Sequence, residues 1–182
     1  YTRDDLHFLS SASKSVSAVI TSVAGSKGYI DDVHKSIFAF LPEYEAYRNA
    51  QNSEISLENL LNMQLGFELP ENDFPTDENI FEYALSRKMQ NPPGEVFMYD
   101  NIAPNLLAGV IKNTTQLHAD KFAEEHLFKP LEIKDYNWEE GKQNGFPICQ
   151  GTLQLRPRDF AKLGFLLINK GKWKDNQLIA PK

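Results

Sequence analysis

The residues best suited to chemistry in this chain are Ser11 and Lys14, which stand three positions apart at the start of an apolar stretch rich in small side chains. Positions i and i+3 of a helix share one face, so the amine of Lys14 can approach the hydroxyl of Ser11 within a single turn. Burial disfavours the ammonium form of lysine, which would make Lys14 a general base for a Ser11 nucleophile. Unpaired N–H groups at the start of the same helix carry partial positive charge and suit a developing oxyanion. The spacing therefore predicts an activated serine.

A Ser-x-x-Lys spacing is also common, and a second interpretation of it stays open. In that interpretation Ser11 caps or enters the first helical turn, and Lys14 is a solvated side chain. The two interpretations differ in whether the two side chains share a pocket.

A rigid turn followed by a short apolar segment supplies a second group of polar side chains. The turn is Pro-Pro-Gly at 92–94, and the segment delivers Tyr99 and Asn101 just before another helical stretch. A second Tyr-x-Asn occurs at 47–49, in a charged segment typical of an exposed helix or loop. We therefore favour Tyr99 as a site residue. The alternative is that Tyr99 is a half-buried tyrosine that only makes a hydrogen bond through its hydroxyl.

Four segments in chain order resemble the serine β-lactamase and penicillin-binding-protein superfamily, in its class C-like branch with esterases, D-aminopeptidases and amide hydrolases. Residues 11–14 (SASK) resemble the family's first motif, and residues 99–101 (YDN) resemble its Tyr-x-Asn second motif. Residues 55–67 resemble the segment such proteins carry as LLTMTSGL, and residues 151–164 resemble GGLYLTARDLAKFG. Four elements in family order are more specific than any one of them.

The resemblance implies a role for each motif residue. Ser11 would be the nucleophile and Lys14 its base, while Tyr99 would hydrogen-bond Ser11 and pass a proton to the leaving group. Asn101 would hold Lys14 and a carbonyl of the substrate. No metal or organic cofactor is implied. The resemblance slightly favours a periplasmic or extracellular location, which the residues themselves leave open.

One element of the family is missing from the sequence. The third motif, Lys-Thr-Gly or His-x-Gly on a late strand, lines the pocket opposite the serine in the family, and neither tripeptide occurs here. We therefore expect residues 1–182 to form a single incomplete domain, with most of the sheet outside the chain. The expected fold is the mainly α part of an α/β two-lobe β-lactamase/transpeptidase-like fold, namely the helical lobe with the nucleophile helix. A Glu-x-x-Leu-Asn sequence at 58–62 is similar to a class A element, but it precedes the second motif and fits a short amphipathic helix.

Hydrophobic periodicity and capping residues predict a mainly helical chain. Little periodicity is present at 132–150, although a short strand pair is expected around 136–138 and 152–155. The predicted helices cover 11–24, 57–63, 76 or 77 to about 89, 101–112, 120–128 and 157 to about 170.

Composition excludes several classes of function. The formal net charge is −6 and no basic stripe is present, which argues against nucleic-acid binding. The apolar stretches are too short and interrupted for a membrane span or signal peptide in this segment. The single cysteine, Cys149, is expected to be a small buried residue and not a nucleophile. His118 and His126 lack the spacing of metal ligands, and no Gly-x-Ser-x-Gly elbow occurs.

These observations together predict a serine hydrolase that acts by acyl transfer on a small-molecule ester, amide, peptide or lactam. A general carboxylesterase or amidase is favoured over a dedicated antibiotic-resistance enzyme. Two alternatives stay open: a penicillin-binding-like sensor or other non-catalytic binding module, and a helical interaction domain whose motif matches are accidental. The oligomeric state is open as well.

Overall fold

The computed structural model describes residues 2–70 and 79–181. Helices carry most of the regular structure of these residues. The α-helices are Ala12–Ser26 (α1), Ile37–Phe40 (α2), Leu57–Leu61 (α3), Ile80–Ser86 (α4), Leu106–Thr115 (α5), Ala119–Ala123 (α6) and Pro157–Ile168 (α7). Short 3-10 helices cover Pro42–Tyr47 and Ala103–Asn105, and a π-helical turn at Glu124–Phe128 continues α6.

The strands of the described residues form two small antiparallel sheets. Strand β3 (Gln154–Leu155) lies between β1 (His7–Phe8) and β2 (Tyr136–Asn137), which matches the strand pair predicted from the sequence. Strands β4 (Lys172–Trp173) and β5 (Asn176–Gln177) form a hairpin after α7. The described chain is therefore mainly helical with little sheet, as expected.

Helix α1 is part of the core, where it packs against α5 and α6. Val16, Val19, Ile20 and Val23 are all buried, which confirms the predicted stripe. Each such side chain contributes about 1.5–3 kcal/mol when it is fully removed from water. The stripe thereby fixes the orientation of the helix that begins beside Ser11.

Helix ends follow the capping residues where these are described. Ser56 caps α3 as predicted, with its hydroxyl accepting from the backbone N–H of Asn59 at 3.1 Å and the Asn59 side chain accepting from Ser56. The predicted caps at 76 and 77 lie outside the described residues, and Asn79 caps α4. Helix α4 ends at Ser86, before the predicted end near residue 89, because residues 88–91 pair with residues 66–68 instead.

That pairing builds a platform for the Tyr99 segment. The N–H of Glu68 donates to the Lys88 carbonyl at 2.8 Å, and the N–H of Met98 donates to the Met63 carbonyl at 2.9 Å. At Gly66 the backbone has φ +86°, and a Cβ would lie 2.1 Å from the carbonyl oxygen of Asn91. Glycine is therefore required where the two segments cross.

No helix among the described residues is both long and apolar enough to cross a membrane. In the same part of the chain, no group of three or more His, Cys, Asp or Glu side chains is arranged to hold a metal ion.

Candidate active site

The chain reaches the candidate nucleophile through a tight turn. The N–H of Leu9 donates to the Leu153 carbonyl at 2.9 Å, which extends the pairing of β1 with β3 up to the turn. Ser10 then adopts a left-handed conformation with φ +48°, which costs a non-glycine residue about 1–2 kcal/mol. Helix α1 begins immediately afterwards, with Ser11 at its N-cap and exposed. The turn therefore presents a solvent-accessible hydroxyl at a helix N-terminus.

Lys14 lies one turn further along α1 and is buried, with 8% of its surface exposed. Its Nζ lies 3.1 Å from Oγ of Ser11, and it also donates to the backbone carbonyl of Gln150 at 2.8 Å. The interpretation of Lys14 as a solvated side chain is therefore wrong. An exposed hydroxyl and a buried amine in hydrogen-bond contact are the arrangement that a serine–lysine nucleophile requires.

Tyr99 closes this group from the other side. Nζ of Lys14 lies 5.2 Å from the centre of the Tyr99 ring, although the two residues are 85 positions apart in sequence (99 − 14). Hydrogen bonding with Ser11 is the largest influence on the Tyr99 phenol, and it lowers the pKa, as do hydrogen bonding with Lys14 and the positive charge of Lys14. The structure thus brings Ser11, Lys14 and Tyr99 together.

The rival Tyr-x-Asn segment lies elsewhere. The hydroxyl of Tyr47 donates to Glu82 at 3.0 Å, and the side chain of Asn49 accepts from the backbone of its own turn. The contacts of this segment are structural, because they hold the 3-10 helix at 42–47 against α4.

Asn101 is half-buried and close to Tyr99 in sequence, but within the described chain no hydrogen bond joins its side chain to Lys14 as predicted. The Lys14 amine donates to the Ser11 hydroxyl and to the Gln150 backbone carbonyl, and it also interacts with Tyr99. The Gln150 backbone carbonyl thus accepts a hydrogen bond from Lys14, which is the role expected of the Asn101 amide. No sequence pattern indicates this contact, because any residue type at 150 presents the same carbonyl.

The loop that carries this carbonyl is fixed from two helices. The hydroxyl of Ser17 in α1 donates to the Cys149 carbonyl at 3.2 Å. The N–H of Gln150 donates to the side-chain oxygen of Asn105, a buried residue just before α5, at 3.3 Å. The position of the Gln150 carbonyl beside Lys14 is therefore set by the core and not by the loop alone.

Cys149 itself is fully buried, and burial raises the pKa of its thiol to about 12. A thiol held in its neutral form is a poor nucleophile. The prediction of a small, buried cysteine is confirmed.

The chain belongs to the Beta-lactamase family, whose profile matches residues 1–154. Among curated relatives, the chain is 24% identical over 110 residues to Protein flp of Staphylococcus aureus (strain MW2), an alignment that covers 57% of this chain and 22% of that protein.

Solved structures are similar over nearly the whole chain. A candidate 6-aminohexanoate-dimer hydrolase from Bacillus anthracis matches with a TM-score of 0.83 at 20% identity, over 99% of this chain and 52% of its own. A D-stereospecific amidohydrolase from Streptomyces sp. matches with a TM-score of 0.74 at 17% identity, over 96% of this chain and 64% of its own. The chain thus spans about half to two thirds of the length of these structures and contains the helical portion of their fold.

Proposed function

We propose that this protein is a serine hydrolase that forms an acyl-enzyme at Ser11, with Lys14 as the base and Tyr99 as the proton shuttle. The observation that carries the proposal is the 3.1 Å contact between a buried Lys14 amine and an exposed Ser11 hydroxyl. The position of Tyr99 over the same amine supports the shuttle role.

Acylation begins when Lys14 takes the proton of Ser11 as Oγ attacks the carbonyl carbon of the substrate. The resulting oxyanion is suited to the backbone N–H of Ser11, which makes no backbone hydrogen bond within the described chain. Tyr99 then gives its proton to the leaving oxygen or nitrogen, the bond to that atom breaks, and the acyl group remains on Oγ.

Deacylation reverses these proton movements. The Tyr99 phenolate takes a proton from water, the hydroxide attacks the acyl carbon, and protonated Lys14 returns its proton to Oγ as the acid leaves. The net reaction is hydrolysis of one ester or amide bond by one water molecule. Asn101 is proposed to bind a carbonyl of the substrate, and no cofactor takes part.

The proposed substrates are small esters and amides. One structural neighbour described above is named a 6-aminohexanoate-dimer hydrolase and the other a D-stereospecific amidohydrolase, which supports hydrolysis as the reaction class. Lactams belong to the same reaction class because their amide carbonyl is open to the same attack.

The proposal is tested by covalent labelling with a fluorophosphonate probe, followed by peptide mapping. We expect one adduct at Ser11, loss of labelling in Ser11→Ala, and normal labelling in the matched control Ser15→Ala, whose exposed serine lies in the same helix. Steady turnover of an ester after an initial burst of product would support the hydrolase. A lasting adduct without turnover would instead favour a penicillin-binding-like sensor, and no adduct at Ser11 would contradict both.

A further inference from the structure

A buried ion pair lies directly beside the Tyr99 backbone and takes no part in the reaction proposed above. One guanidinium nitrogen of Arg87 donates to Oδ2 of Asp100 at 2.7 Å, and the two side chains are only 6% and 4% exposed. Nε of Arg87 donates to the Ala84 carbonyl at 3.2 Å, and the guanidinium lies over the ring of Phe67 at 5.0 Å. Arg87 is therefore held in one orientation by α4 and by the 66–68 segment.

The other carboxylate oxygen of Asp100 organises the chain that follows it. Oδ1 accepts from the N–H of Ile102 at 2.7 Å and from the N–H of Ala103 at 3.1 Å. These bonds close the turn that leads into the 3-10 helix at 103–105 and then into α5. One carboxylate thus connects α4 to the start of α5 immediately after Tyr99.

Tyr99 has few contacts of its own to fix its position, since 47% of its surface is exposed. Its backbone is instead held on both sides, by the Met98–Met63 hydrogen bond before it and by Asp100 after it. A buried ion pair adds little net stability compared with apolar residues of similar volume, because both charges must leave water. Charge-assisted hydrogen bonds are, however, short and directional, which suits them to fixing a segment in place.

We propose that Arg87 and Asp100 are positioning residues that hold Tyr99 against Ser11 and Lys14, an inference that rests on the proposed function. They touch neither substrate nor reacting atoms and act through the backbone at 99–102. A displacement of about 1 Å in a catalytic group can lower the rate by about a hundredfold.

Asp100→Asn tests this role because it keeps a side-chain oxygen for the two N–H groups and removes the charge that binds Arg87. We expect kcat per Ser11 titrated by the fluorophosphonate probe to fall by about ten- to a hundredfold, with KM changed less than threefold. The pKa of the Tyr99 phenol is expected to rise toward its ordinary value, as read by NMR of ring-labelled tyrosine with the signal assigned through Tyr99→Phe.

Arg87 supplies the conservative comparison. Arg87→Met is expected to reproduce the loss seen in Asp100→Asn, whereas Arg87→Lys, which keeps the charge, is expected to recover most of the turnover and most of the shift in the Tyr99 pKa. If Asp100→Asn does not fold, the contrast between these two variants decides the question.

The matched control is Asp159→Asn in α7, since Asp159 is also buried and pairs with Lys162 at 2.7 Å. This variant is expected to lower Tm and to leave the Tyr99 pKa and the turnover per titrated Ser11 unchanged. The proposal is overturned if Asp100→Asn behaves like this control. If the unmodified protein neither labels at Ser11 nor turns over an ester, the proposed function fails. In that case the Tyr99 pKa in the variants still decides whether the ion pair holds the phenol in place.

Discussion

Gly66, where residues 66–68 cross residues 88–91, allows a direct test of the pairing that positions the Tyr99 segment. Gly66 and Gly28 both have left-handed backbones, with φ of +86° and +79°. A Cβ at position 28 would meet nothing within 4 Å, whereas a Cβ at position 66 would lie 2.1 Å from the carbonyl oxygen of Asn91. Gly28→Ala therefore measures the cost of the backbone conformation alone, and Gly66→Ala measures the same cost plus a steric clash.

The two costs can be separated from this geometry. A left-handed alanine costs about 1–2 kcal/mol in either variant. The alanine at 66 would also have to move the Asn91 carbonyl by more than 1 Å, since ordinary contacts begin near 3.4 Å, and overpacking of this kind adds about 1–3 kcal/mol. Each kcal/mol lowers Tm by about 2–4 °C in a domain of this size.

Calorimetry or circular dichroism of both variants provides the assay. We expect Gly66→Ala to melt at least about 2 °C, and up to about 12 °C, below Gly28→Ala. We also expect it to lose turnover, because residues 88–91 lead directly to the Tyr99 segment. Equal melting temperatures for the two variants would show that the crossing of residues 66 and 91 is not as close as described.

Three further predictions concern Tyr99, Cys149 and α7. Because the pKa of Tyr99 is lowered, its proton is lost at a lower pH than in free tyrosine. As the pH is raised, kcat/KM for an alkyl ester should therefore begin to decline before the pH reaches about 10, the ordinary pKa of tyrosine. Tyr99→Phe should remove that decline and should impair alkyl esters more than aryl esters, whose leaving groups need no proton; an unchanged alkaline limb would refute the shuttle role. Cys149 should react with a thiol reagent only after unfolding, since it is fully buried, and fast reaction in the folded protein would contradict its placement. Ile168 is 81% exposed, so Ile168→Lys should change the free energy of unfolding by about 0.5 kcal/mol or less and should reduce light scattering by aggregates. Leu166 is fully buried, so Leu166→Lys should unfold the protein.

The parts of the fold that depend on local sequence were predictable. The apolar stripe of α1, the Ser56 cap of α3 and the start of α7 at Pro157 each follow from patterns within a few residues. The contact between Ser11 and Lys14 belongs to the same group, because helical spacing alone puts them on one face.

Contacts between distant segments were not predictable from composition or periodicity. The approach of Tyr99 to Lys14 was expected only from the family resemblance. The Lys14 amine donates to the Gln150 carbonyl, a contact that no sequence pattern predicts. The buried pair of Arg87 and Asp100 could not be predicted, because charged residues are usually solvated and nothing in a single sequence distinguishes a buried pair from two exposed side chains.

The most direct test of the account is the rate at which the fluorophosphonate probe labels Ser11 when Lys14 is changed. Lys14→Met keeps the length of the side chain and removes the base, and the matched control Lys35→Met removes an exposed lysine that pairs with Asp31. General-base catalysis is worth about 10²- to 10⁴-fold, so the second-order labelling rate should fall by at least a hundredfold in Lys14→Met and remain unchanged in Lys35→Met. Labelling of folded Lys14→Met at nearly the original rate would contradict the claim that the buried amine activates the serine.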